Sequence, residues 1–99
     1  MTIVELNALR SSKENFSDKL KSTEFLLQAA KLTEQISDFF KDDLYTKIFV
    51  MYYCALMTDT EISKSLGLQQ AKTVKNILES GREKIRRYER RQIEGRVRK

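Results

Sequence analysis

The side chains of this chain that could do chemistry are concentrated in its final third, and they are suited to hydrogen bonding and ion pairing. Glutamine and asparagine can pair bidentately with adenine, and lysine can bond to guanine. Arginine and lysine also bind phosphates, which set affinity and register but do not read sequence. We expect the base-contacting set to be Gln69, Gln70, Lys72, Thr73 and Asn76. We expect the phosphate-contacting set to be Lys75, Arg82, Arg86 and Arg87. The alternative is that these residues are only the solvated side of an amphipathic helix.

Other kinds of chemistry lack the residues they need. The chain has no histidine and a single cysteine, Cys54. This argues against disulfides, zinc sites with the usual ligands and histidine-based acid-base catalysis. We therefore expect no enzyme activity, no metal and no cofactor. Cys54 lies in an apolar helical run, which predicts a small buried side chain.

Charge is distributed unevenly along the chain. Residues 1–69 contain 8 basic and 10 acidic side chains, a net charge of −2, whereas residues 70–99 contain 11 and 4, a net charge of +7. One-sided basic charge is the electrostatic pattern expected of a phosphate-binding surface. The alternative is a solvated basic tail.

Two short helices joined by a glycine turn would position these side chains. Thr58 and Glu61 have the spacing of a capping box, which predicts a helix start, and Gly67 can end that helix with a positive φ. We expect Leu68 to return to the core. A second helical period then begins at Gln69 or Gln70, and its inward positions are Ala71, Val74 and Leu78. Helix, glycine turn and helix is the layout of a helix-turn-helix.

The run from about Asp42 to Arg91 resembles region 4 of bacterial sigma factors and the small phage and mobile-element regulators built on it. Their pattern is an apolar helix, a capped E-I-A-x-x-L-G-I helix, and a T-V-K-x-x-L recognition helix with a basic tail. The counterparts here are Leu44 to Met57, then Glu61, Ile62, Ser63, Leu66, Gly67 and Leu68, then Thr73, Val74, Lys75 and Leu78. The resemblance implies double-stranded DNA as a partner, a phage or mobile-element origin, and RNA polymerase as a further partner to test.

The rest of the composition predicts an all-α fold, since there is no proline and there are only three glycines. Thr2 and Glu5 could cap a short first helix with Ile3, Leu6 and Leu9 on one face, and a hinge is expected near Ser11. A longer helix should run from Ser12 or Thr23 to about Lys41. Its heptad-spaced apolar residues are Phe25, Ala29, Leu32, Ile36 and Phe39.

Asp42 or Asp43 should cap a central, most buried helix from Leu44 to about Met57. Its apolar stripe would be Leu44, Ile48, Met51, Tyr52 and Ala55, widened by Phe49, Val50, Tyr53, Leu56 and Met57. The last helix should continue beyond Leu78, with Glu83 paired to Arg87 and with either Glu79–Arg82 or Glu83–Arg86 as a second pair. Gly81 would mark a close helix approach or a bend.

We therefore expect a helical N-terminal segment for packing or dimerisation over residues 1–41, a helix-turn-helix domain over 42–91, and a basic tail over 92–99 that is frayed beyond Gly95. The seam of the long helix and the seam Val74, Leu78, Gly81, Ile85 and Tyr88 could lie against each other or against copies in a homodimer.

The leading hypothesis is a DNA-binding transcription regulator. The alternative is a protein-protein module that binds RNA polymerase or a sigma factor without reading DNA sequence. No apolar run is long enough to span a bilayer, so we expect a cytoplasmic protein without membrane association.

Overall fold

The computed structural model describes residues 1–10 and 16–97, and the regular structure of that part is entirely helical. The helices are α1 (Ile3–Arg10), α2 (Phe16–Lys21), α3 (Thr23–Phe40), α4 (Asp43–Phe49), α5 (Asp59–Ser65) and α6 (Ala71–Val97). A π-helical turn, Val50–Cys54, continues α4. The all-α prediction is confirmed. The predicted hinge near Ser11 and the last two residues of the predicted tail lie outside the described residues.

Short polar side chains begin the helices where the sequence predicts boundaries. The Thr2 hydroxyl accepts a hydrogen bond from the Glu5 backbone N–H at 3.1 Å, at the start of α1. Ser22 caps α3, and Asp42 caps α4 by accepting from the Tyr45 backbone N–H at 3.0 Å. These caps satisfy donors that the first helical turn leaves without intrahelical partners. The predicted helix starts at Thr23 and after Asp42 are confirmed.

The segment formed by α4 and the π turn occupies the centre of the fold. The side chains of Ile48, Phe49 and Tyr53 are almost fully buried, and the segment packs against α1, α3, α5 and α6. Its central position was predicted correctly, but its length was not. The helical segment ends at Cys54, and Leu56 takes the left-handed conformation with φ of 57°.

The predicted apolar stripe is wrong at both ends, because Leu44 and Ala55 are exposed. The Ala55 N–H donates to the Val50 carbonyl at 3.0 Å, a spacing of five residues instead of four. A wider turn of this kind changes the angular register of the residues that follow it. Leu56, which the sequence also placed on the apolar face, is buried while Ala55 is not, and the first turn of α4 leaves Leu44 at the edge of the core.

The other apolar faces surround this centre. Buried residues of α1 (Ile3, Leu6, Leu9) and α3 (Phe25, Ala29, Leu32, Ile36) join one core with Val74, Leu78 and Ile85 of α6. α3 packs on α1, α2, α4 and the π turn, whereas α6 packs on α1, α4 and α5. The aromatic contacts of α3 with α6 come from Phe39 and Phe40 at its C-terminal end. The two apolar seams therefore do not pair with each other along their length.

Gly81 is the point of closest approach between α6 and the central segment. A Cβ at this position would collide with the ring of Phe49 and come within 3.1 Å of the ring of Phe40. α6 continues through Gly81 without interruption and reaches Val97, beyond the predicted fraying point at Gly95. The glycine thus provides room for a ring, as one of the two sequence interpretations proposed.

We predict that Gly81→Ala lowers the free energy of unfolding by up to about 2 kcal/mol. Overpacking a core contact costs about 1–3 kcal/mol, and the gain of about 1 kcal/mol that alanine brings to a helix interior offsets part of this cost. Urea denaturation followed by circular dichroism measures the change. Phe49→Leu in the same chain should recover part of the loss, so that the two changes are less than additive. A more stable Gly81→Ala variant would contradict the contact.

Candidate nucleic-acid interface

The start of α5 is held by the capping box that the sequence predicts. The Thr58 hydroxyl accepts from the Glu61 backbone N–H at 3.2 Å, and the Glu61 carboxylate accepts from the Thr58 backbone N–H at 3.1 Å. The pKa of Glu61 is lowered. The largest cause is the hydrogen bond from the Thr58 backbone N–H, and a hydrogen bond with the Thr58 side chain has a smaller effect in the same direction. α5 begins at Asp59, as predicted.

The end of α5 is a glycine turn of the Schellman type. The Gly67 N–H donates to the Lys64 carbonyl at 3.2 Å, and the Leu68 N–H donates to the Ser63 carbonyl at 2.8 Å. Gly67 has φ of 69° and open space around its Cβ position, so the turn needs its backbone conformation and not its small size.

Ser63 supports this turn in a way that the sequence did not reveal. Its side chain is buried, and its hydroxyl donates to the Leu68 carbonyl at 3.0 Å. Leu68 packs against the hydrophobic core, as expected. The direction in which the chain enters α6 is therefore determined by the glycine conformation together with a buried hydroxyl.

The predicted base-contacting residues lie together on the surface around the N-terminal end of α6. Gln69 and Gln70 precede the helix, which begins at Ala71, and all five residues of the set are exposed. Val74 and Leu78, on the opposite side of the helix, are buried. Among the described residues, none of the five side chains has a hydrogen-bonding or ionic partner.

The predicted phosphate-contacting residues have a different environment, because each has a partner within the protein. Lys75 lies 3.4 Å from the Asp59 carboxylate. Arg86 and Arg87 lie 3.8 and 3.6 Å from the Glu83 carboxylate, which confirms the predicted pairs at Glu83. These three cations remain at least half exposed, so a phosphate could replace the carboxylate at each of them.

Arg82 differs from the other three cations. Its side chain is partly buried, and its Nε donates to the Tyr53 hydroxyl at 2.8 Å. The guanidinium also lies within 6 Å of the rings of Tyr52 and Tyr53, at 5.7 and 5.8 Å from their centroids. Arg82 joins α6 to the π turn and is directed toward the protein more than the other predicted phosphate-contacting residues.

Arg10 is a residue of this region that the sequence analysis missed. Its guanidinium donates to the carbonyls of Tyr52 and Met57 and stacks over the Tyr52 ring at 3.7 Å. These carbonyls lie where the π turn gives way to the left-handed Leu56. Arg10 therefore connects α1 to the segment that leads into α5. No sequence spacing signals a contact between residues so far apart in the chain.

A cleft of about 410 Å³ opens between α6 and the segment that Arg10 connects, with Arg10, Asp59, Lys75 and Arg82 among its lining residues.

The two neighbouring tyrosines, Tyr52 and Tyr53, already make contacts within the protein. Tyr53 is buried, and the Tyr52 ring is covered by Arg10. Cys54, beside them, is partly buried and packs against the core. Burial raises the pKa of its thiol, which disfavours the reactive thiolate.

Within the described residues, no group of three or more histidine, cysteine, aspartate or glutamate side chains is placed to hold a metal ion. Over the same part of the chain, no helix combines the length and the apolar character needed to cross a bilayer.

We predict that Arg10→Ala lowers the free energy of unfolding by about 1.5–3 kcal/mol, because hydrogen bonds to a charged group contribute about this much. Chemical denaturation of the purified variant measures the loss. Arg10→Lys should recover only part of it, since an ammonium lacks the planar fork that reaches two carbonyls. Lys31→Ala, an exposed position on α3, is the matched control and should change stability by no more than about 0.5 kcal/mol. Equal stabilities of Arg10→Ala and this control would refute the role of Arg10.

Comparison of the chain with protein-family models, with curated proteins and with solved structures found no match in any of the three.

Proposed function

We propose that the chain is a DNA-binding transcription regulator in which α5 and α6 form a helix-turn-helix. One observation carries the proposal: five exposed polar side chains, none of which has a partner among the described residues, surround the first turns of a helix whose position is set by a glycine turn. Polar groups of this kind can form hydrogen bonds to a ligand without first breaking bonds within the protein. A phage or mobile-element origin is part of the same proposal and rests on the resemblance to sigma region 4.

In this proposal, the N-terminal turns of α6 enter the major groove, whose width of about 12 Å admits a helix. Lys72, Thr73 and Asn76 would contact base edges from the helix, while Gln69 and Gln70 would contact the duplex from the turn before it. α5 would cross the backbone, as the first helix of such a unit does. The burial of Val74 and Leu78 on the opposite side keeps the polar side directed away from the core.

Phosphate binding would come from the cations that border this face. Lys75, Arg86 and Arg87 would exchange their protein carboxylates for DNA phosphates. Arg82 would act mainly by holding α6 against the π turn through Tyr53. Because each bound phosphate releases counterions, affinity should fall steeply with salt.

Random-site selection on duplex DNA, run at two salt concentrations, tests the proposal. We predict a defined motif, with Lys72→Ala and Asn76→Ala each losing about 1–3 kcal/mol of discrimination at particular base pairs. Gln28→Ala, exposed on α3, is the control and should leave the motif unchanged. Circular dichroism verifies that each variant folds. The same selected sequences for wild type and both α6 variants, or no motif at all, would refute groove reading.

The ion pair between Asp59 and Lys75 provides a second test of the same proposal. Asp59→Asn should strengthen DNA binding and steepen its salt dependence by about one counterion, because Lys75 becomes available to a phosphate. Fluorescence anisotropy with labelled duplex at several salt concentrations measures both quantities. In a Lys75→Ala background, Asp59→Asn should have little effect, which separates release of Lys75 from a general gain of positive charge. An equal gain in both backgrounds would contradict this assignment.

A further inference from the structure

A second surface lies farther along α6, where that helix meets the C-terminal end of α3. Phe39 and Tyr88 contact each other edge to face there, with ring centroids 5.4 Å apart, and the Tyr88 side chain is 46% exposed. Grooves of about 490 and 260 Å³ border this pair. We call the two rings and the two grooves the Phe39–Tyr88 surface. It is lined additionally by Gln35, Asp38, Lys41, Lys84, Arg87 and Arg91.

The aromatic pair is supported from below by other rings. Phe39 contacts Phe40 at 5.0 Å between centroids, and Phe40 contacts the buried Phe49 at 4.6 Å. This continuous chain of aromatic contacts connects the surface to the core at Gly81. A binding surface built on packed rings loses little side-chain entropy when a partner covers it.

The charges around the two rings are predominantly positive. Lys41, Lys84, Arg87 and Arg91 line the grooves, against the single acidic residue Asp38. Arg87 is paired with Glu83. Among the described residues, Lys84 and Arg91 have no acidic partner within 4 Å, and the Lys84 ammonium lies over the Tyr45 ring at 4.3 Å. The surface thus combines exposed aromatic area with cations available to an external anion.

One polar atom beside the larger groove also lacks a partner in the part of the chain that the structure describes. The side-chain oxygen of Gln35 is buried and accepts no hydrogen bond from those residues. A buried acceptor without a donor costs free energy. An occupant of the groove that Gln35 lines could supply the missing N–H donor.

We propose that the Phe39–Tyr88 surface binds an acidic segment of a partner protein. The segment would place an apolar side chain against Tyr88 and Phe39 and its carboxylates against Lys84 and Arg91. A DNA backbone would match the charge but offers only its sugars, and no apolar side chain, to cover the two rings. Tyr88 and Asn76 are twelve residues apart on α6, about 18 Å along the axis, so the aromatic pair is separate from the proposed base-reading residues. Arg87 is shared, because it lines the smaller groove and is also a proposed phosphate contact.

Titration of a fluorescein-labelled synthetic peptide, made of glutamate with interspersed leucine and phenylalanine, tests the proposal by anisotropy. Tyr88→Ala should weaken binding by about tenfold, since covering an aromatic side chain contributes at least that much. The charge reversals Lys84→Glu and Arg91→Glu should each produce a comparable loss. Arg90→Glu is the matched control, because it changes the same charge at an exposed position of α6 that lines neither groove, and it should have a much smaller effect.

Two further measurements locate the binding. Nuclear magnetic resonance of isotope-labelled protein should show peptide-induced shifts at Tyr88, Phe39 and the Gln35 side-chain amide, and not at Lys72 or Asn76. A peptide with serine in place of leucine and phenylalanine should bind far more weakly. Tyr88→Ala should retain whatever DNA binding the wild type has, so the result does not depend on the proposed function.

Several outcomes would overturn the proposal: no binding of the peptide, equal binding of the serine peptide, or peptide-induced shifts confined to the N-terminal end of α6. A fourth outcome would also overturn it: duplex DNA shifts the resonances of Tyr88 and Phe39 and the peptide does not. That result would identify the surface as a DNA contact.

Discussion

The contact of the Phe49 ring with the backbone of α6 at Gly81 is the constraint on which the architecture depends. Phe49 is fully buried in the central segment, and it reaches α6 only because residue 81 has no side chain. This contact lies between the two surfaces of α6, with the exposed polar face toward its N-terminal end and the Phe39–Tyr88 surface toward its C-terminal end. The same packed rings therefore position both.

The π turn and Arg10 form the second connection in the molecule. The wider turn lets Leu56 enter the core with a left-handed backbone, and the chain then reaches the start of α5 within a few residues. A helix that ends in this way leaves backbone carbonyls outside the regular helical hydrogen-bonding pattern. Arg10, at the end of α1, donates hydrogen bonds to two such carbonyls. The N-terminal helix thus participates directly in placing α5. Tyr53 makes the corresponding connection to α6 through Arg82.

Only some of the positive charges of α6 are available to an external partner. Carboxylates of Asp59 and Glu83 engage Lys75, Arg86 and Arg87 within the protein, and Arg82 is turned toward Tyr53. Lys72, Lys84, Arg90 and Arg91 have no such carboxylate among the described residues. Positive charge is therefore most available at two separated places on the helix, one polar and one bordered by aromatic rings. This separation is compatible with two different partners on one helix.

Local sequence alone determined the boundaries and polarity of the elements around α5. Three features were predicted correctly because each depends on residues close together in the chain. They are the capping box at Thr58, the left-handed turn at Gly67 and the placement of Val74 and Leu78 on one side of α6 among polar neighbours. The heptad spacing in α3 likewise identified its buried face. These features placed the predicted base-contacting residues on the exposed side of α6 and in the turn that precedes it.

Only the tertiary structure decided the rest, because it depends on contacts between distant residues and on a change of helical register. The π turn left Ala55 exposed, which a regular period of 3.6 residues does not anticipate. The partners of Lys75, Arg82 and Arg10 lie outside the helix that carries each of them, so no spacing within one helix could reveal them. The Phe39–Tyr88 pair joins two helices whose apolar seams the sequence could not assign to each other or to a second subunit. Because α4 packs against both helices, the rings of Phe39 and Tyr88 touch where the C-terminal end of α3 meets the middle of α6.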